Sequence, residues 1–105
     1  MSAAHLLAIM AAGDLAVELW RAEGACAMAK DAYIARVRKF ESQFGDVPHN
    51  APSDDPDRLA MNQFTRARYE SFTDARKKVY SLRSRLRRAC EKAARASAST
   101  KRGAA

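Results

Sequence analysis

Glycine and proline are scarce in this chain of 105 residues, with four glycines and three prolines, and every proline lies between positions 48 and 56. Outside that short stretch nothing forbids a continuous helix, so the chain reads as all-α with a single break. Cysteine and histidine are limited to two each: Cys26 and Cys90, His5 and His49. That excludes a disulfide framework, and the spacing offers neither a Cys-x-x-Cys pair nor a Glu-x-x-His pair for a metal inside a bundle. A glycine-rich phosphate loop and a nucleophile elbow are absent as well. The expectation is a protein that is not an enzyme, with no catalytic residues, no cofactor, no metal and no small-molecule substrate. Also missing is any uncharged apolar run of about 18 residues, the length that spans a bilayer. The apolar N-terminal stretch has no basic leader, and Asp14 and Glu18 continue its helical phase, which argues against an export signal. No membrane partner and a cytoplasmic location are therefore expected, with both cysteines reduced.

What is present is organised around GDVPHNAPSDDP, Gly45 to Pro56. Gly45 suits a left-handed helix cap, Pro48 and Pro52 push the residues before them out of the α region, and Asp55-Pro56 reads as an N-cap followed by a first-turn proline. The pattern predicts one domain over residues 1–105: a helix over about 3–44 with Ser2 as its N-cap, a turn over 45–56, a helix over about 57–96, and a flexible basic tail over 97–105. Hydrophobic residues make up 48% of the chain but many are alanine, so the core is expected to be thin.

Both arms carry a helical stripe. In the first it runs Ala8, Ala12, Leu15, Leu19, Ala22, Cys26, Ala29, Tyr33, Val37, Phe40 and Phe44. In the second it runs Met61, Phe64, Arg68, Phe72, Ala75, Val79, Leu82, Leu86, Ala89 or Cys90, Ala93 and Ala96. Steps of three and four are the signature of a coiled-coil-like seam. Folding the chain back pairs residues whose numbers add to 101, which sets Leu19 against Leu82, Ala22 against Val79 and Phe40 against Met61, large against small. The same register sets Asp14 opposite Arg87, Glu18 opposite Arg83 and Glu23 opposite Lys78, and brings Tyr33 level with Arg68 for a cation–π contact. The fold class predicted is a long antiparallel helical hairpin of two helices that completes a four-helix bundle as a dimer or docks on a partner.

A lone hairpin has one inner seam, yet the first helix carries a second apolar stripe: Leu6, Ile9, Gly13, Val17, Trp20 and Gly24. This is the candidate partner interface, with Trp20 as its anchor. Charge is divided unevenly. The net charge is +7, and residues 76–105 hold eleven Lys or Arg against one acid. Arg85, Arg88, Lys92 and Arg95 step along one outward face of the second helix, a basic stripe for an acidic partner or for phosphates. No aromatic residue is interleaved with it, so stacking on single strands is not indicated.

These features point to a non-enzymatic helical interaction protein that self-associates or binds a larger, acidic protein as an adaptor or inhibitor. The homo-oligomer or larger protein complex is the first partner class. Nonspecific nucleic-acid binding through the basic stripe is the alternative. In shape the chain is similar to small secreted helical hairpins with a Trp-x-Gly turn, although its turn has no tryptophan. At the level of class it resembles small bacteriophage products that block or remodel a host complex, which would imply an inhibitor.

Overall fold

A computed structural model describes residues 2–104, with side chains for residues 2–98. It contains two helices, α1 (Ala3–Phe44) and α2 (Pro56–Ala104), which form an antiparallel helical hairpin, and no strand among the described residues. Each end has a local cause. Ser2 Oγ accepts a hydrogen bond from the His5 amide at 3.0 Å and so caps α1. Gly45 closes α1 with φ of 93°, a left-handed backbone that an L side chain resists. Asp55 caps α2, its Oδ2 accepting from the amides of Asp57 at 3.0 Å and Arg58 at 3.1 Å, with Pro56 in the first position, where the missing N–H costs nothing.

The break itself is two tight turns in series, closed by Ala51 N to Pro48 O at 3.0 Å and Asp55 N to Pro52 O at 3.1 Å. Arg58, from the first turn of α2, reaches back over them. Its guanidinium donates to the carbonyls of Pro48 (2.9 Å), His49 (3.1 Å) and Ala51 (3.1 Å). No helix or strand satisfies the His49 and Ala51 carbonyls, so this side chain supplies their donors and adds a second one at Pro48, whose carbonyl already accepts from the Ala51 amide. At the other end, α2 does not stop near Ala96 with a flexible tail following, but runs on to Ala104. The apolar period of the sequence ends near Ala96, while alanine, lysine and arginine beyond it continue to favour helix.

Within the hairpin the chain divides into two compact units: unit 1, Met1–Glu23 with Lys77–Ala105, and unit 2, Gly24–Arg76. Unit 1 has a thin seam. Ala8, Ala22, Val79 and Leu82 are buried, and Ala12, Leu15, Leu19, Leu86, Ala89, Ala93 and Ala96 are half-buried. These are the positions that the register of 101 requires. Cys90 is exposed, so Ala89 takes the seam position, and both Cys26 and Cys90 are free thiols.

Unit 2 is packed by aromatics. Tyr33 stacks on Phe72 with ring centroids 6.2 Å apart and meets Tyr69 at 5.3 Å, while Phe40, Phe44 and Phe64 form a triangle of 5.0, 5.6 and 6.5 Å. Two assignments of the stripe change here. Arg68 is exposed, so the Tyr33–Arg68 pairing is replaced by Tyr33 with Tyr69 and Phe72. Phe44, at the end of α1, is 68% exposed. The seam keeps steps of three and four through 26, 29, 33, 36 and 40 in α1, while in α2 it runs through 61, 65, 72 and 75 with Arg68 exposed between them, and this brings Arg36 and Thr65 to the inside. Both are made tolerable locally. Thr65 Oγ1 donates to the Met61 carbonyl at 2.9 Å, one turn back. Arg36 lies flat on Phe64, its guanidinium carbon 3.7 Å from the ring centroid, and its Nε donates to the Phe64 carbonyl at 3.3 Å. A planar, weakly hydrated cation is the one charged group that can stack in this way.

Candidate functional site

Two surfaces belong to unit 1, and each follows from helical phase. In α1 the seam residues Ala8, Ala12, Leu15 and Leu19 occupy one side. At about 100° per residue, Leu6, Ile9, Met10, Gly13, Val17 and Trp20 fall in an arc of about 100° on the opposite side. All six are exposed, Trp20 most of all at 75%. No charged residue of the first twenty lies in that arc; Asp14 and Glu18 fall on its flank. A Cβ placed at Gly13 would meet nothing within 4 Å, so the face is open at that position among the described residues. Gly24, the last member of the predicted interface, begins unit 2 and is equally open.

The basic stripe is the second surface. Arg85, Arg88, Lys92 and Arg95 are all exposed, and among the described residues none of their side chains makes a hydrogen bond, ion pair or ring contact. The three cross-hairpin ion pairs also do not form: Asp14 with Arg87, Glu18 with Arg83 and Glu23 with Lys78 make no ion pair within 4 Å. Arg83 lies instead over the Tyr80 ring at 5.9 Å. All six of the paired positions are exposed, where an ion pair is worth under about 1 kcal/mol and does not repay fixing two long side chains.

Those cations are therefore uncommitted, and the unit boundaries sharpen their meaning. Unit 1 holds eleven Lys or Arg against four acids, and unit 2 holds eight against eight. The whole net charge of +7 thus belongs to unit 1. On one flank of the seam Ala4, Leu7, Ala8, Ala11, Ala89 and Lys92 line a groove of about 280 Å³, which brings one cation of the basic stripe beside apolar residues of α1.

α1 also contains an 18-residue window near the N-terminus with a mean hydropathy of 1.4, of which 6% is buried. By length and composition it is apolar enough to cross a membrane. Asp14 and Glu18 interrupt this stretch, so it contains no long uncharged run, the feature whose absence underlay the expectation of no membrane partner.

Unit 2 offers two smaller features. Tyr33, Asn62, Thr65, Arg66, Tyr69 and Glu70 line a groove of about 510 Å³, and Phe40, Phe44, Asp57, Ala60, Gln63 and Phe64 line an apolar one of about 390 Å³. Near the turn the Glu41 carboxyl is held above the ordinary carboxylate value, chiefly by its hydrogen bond to Asp46. Slight desolvation and the Asp46 charge act in the same direction, and Arg38 opposes them. Among the described residues no group of three or more His, Cys, Asp or Glu is placed to hold a metal ion. No protein-family model matches the chain, and no curated protein or solved structure matches it.

Proposed function

We propose that this is a non-enzymatic interaction protein whose binding end is unit 1. One observation carries the reading: the face of α1 opposite the seam leaves Leu6, Ile9, Val17 and Trp20 exposed on the same unit that holds the chain's entire net positive charge. A contiguous apolar face of this kind stays in water only at a free-energy cost, and covering it relieves that cost. In solution the nearest cover is a second copy. Two α1 faces apposed about Gly13 leave the outward cations of each α2 pointing away from the contact, so the repulsion between two units of charge +7 is kept low. The uncommitted cations then serve to attract an acidic partner, as an adaptor or inhibitor does.

Light scattering over a range of concentrations tests this. The wild type is expected to exceed the 11.6 kDa of one chain, and Trp20→Asp to return it to that mass with its helical circular dichroism intact. A wild type that stays at the mass of one chain at about 100 μM, the affinity range of weak association, refutes the self-association. The second reading is nonspecific nucleic-acid binding by Arg85, Arg88, Lys92 and Arg95, which are exposed and unengaged. It requires affinity for duplex that falls steeply with salt, and neutralising the four must lower that slope.

A further inference from the structure

Resting on the reading that unit 1 is the binding end, we infer that its partner is the surface of an anionic phospholipid bilayer, with α1 lying in the plane of the interface and its Leu6–Trp20 face immersed. Composition and phase together favour lying on the membrane over spanning it. The immersed arc holds Leu6, Ile9, Met10, Val17 and Trp20 and no charge, whereas a spanning helix would carry Asp14 and Glu18 into the hydrocarbon, where carboxylates are strongly disfavoured. Immersion of the outer arc also leaves the seam of Ala8, Ala22, Val79 and Leu82 undisturbed.

The second helix completes the argument. Packed helices lie about 8–10 Å apart, so α2 would ride at the level of the lipid headgroups when α1 is immersed. On the helical wheel of α2, Arg85 and Lys92 fall on one flank of the seam and Arg83 on the other, toward the bilayer plane, with Arg87 farther round beyond Arg83. Lys92 lines one groove with the exposed Leu7, so a cation and an apolar side chain already share a flank. The outer cations Arg88 and Arg95 lie within about one Debye length of the phosphates and add attraction without contact. Trp20, the chain's one tryptophan, stands near one edge of the arc and is exposed, where amphipathic rings sit at membrane interfaces. A nucleic acid would use the cations and leave the apolar arc in water; an anionic bilayer uses both.

That tryptophan is also the probe. The full-length chain is titrated with vesicles of phosphatidylcholine alone or with about one-third phosphatidylserine, following Trp20 emission and vesicle flotation. The expected result is a blue shift and a partition coefficient on the order of tenfold or more higher on the anionic vesicles. Val17→Asp, which leaves Trp20 and the seam in place, should lower partitioning on the order of tenfold. Neutralising Arg83, Arg85, Arg87 and Lys92 to Gln should remove the preference for anionic lipid. Equal binding to both vesicle types, or an unchanged Trp20 spectrum, overturns the inference. Duplex DNA at matched phosphate that is bound while vesicles are not overturns it in favour of nucleic acid. A wild type that self-associates through Trp20 in buffer yet ignores anionic vesicles overturns the lipid inference and leaves the association reading standing. Vesicle binding by a chain that never self-associates does the reverse.

Discussion

Leu82 and Leu59 are the same residue type in the same helix, and deleting the same three carbons from each should have different consequences. Leu82 is 2% exposed in the seam of unit 1, while Leu59 is 53% exposed in unit 2. For Leu82→Ala the lost transfer free energy is about 2.4 kcal/mol, at about 0.8 kcal/mol per buried carbon. A residual cavity would add to this, but a seam between only two helices collapses or hydrates more readily than a deep core, so the total is set at about 2–3 kcal/mol. For Leu59→Ala, already half in water, the loss is under about 1 kcal/mol. With a total stability near the low end of about 5–15 kcal/mol, the first variant loses a large fraction of its margin and the second little. Urea unfolding followed by circular dichroism, at low micromolar concentration to hold association constant, should lower the midpoint by about 2 M for Leu82→Ala and by well under about 1 M for Leu59→Ala, using a slope of about 1 kcal/mol/M. Tryptophan emission reports unit 1 separately through Trp20, so a transition that splits between the units will be visible. Equal losses, or a Leu82 loss below about 1 kcal/mol, would refute the placement of the unit 1 core.

The ends and the turn give further expectations. Asp55→Ala removes the acceptor of two α2 amides and should cost about 1 kcal/mol by urea unfolding, with most of it restored by Asp55→Asn. Arg58→Ala removes the side-chain donor from the His49 and Ala51 carbonyls and the second donor from Pro48, so limited proteolysis should cut the 45–55 segment faster while the helical content stays near wild type. Arg36→Lys keeps the charge but loses the flat stack on Phe64, and a double-mutant cycle with Phe64→Leu should return a coupling of about 0.5–1 kcal/mol. Glu41 should titrate above the ordinary carboxylate value in a carboxyl NMR titration, and Asp46→Asn should return it. A raised folded-state pKa means that the folded chain binds the extra proton, so this pair's contribution to stability falls as pH rises through that pKa and recovers as pH drops below it. Asp46→Asn should flatten that part of the pH profile.

Much of the architecture could be read from the chain because its causes are local. Confinement of all prolines to one stretch, Gly45 at a left-handed cap and Asp55-Pro56 at a helix start fixed two helices and one turn through backbone sterics alone. The three-and-four alternation likewise placed Ala8, Ala22, Val79 and Leu82 inside and left Leu6, Ile9, Val17 and Trp20 outside. Tertiary packing decided what periodicity leaves open. Position 36 or 37, and position 64 or 65, fit a stripe almost equally well, and only the facing helix determined that Arg36 enters the seam and stacks on Phe64. Cross-hairpin charge pairs suggested by register did not close, because exposed side chains are governed by solvent and entropy rather than by level. The division into a neutral unit and one carrying all of the net charge was also invisible in sequence order, since the basic half of α2 and the apolar start of α1 become one body only when the chain doubles back.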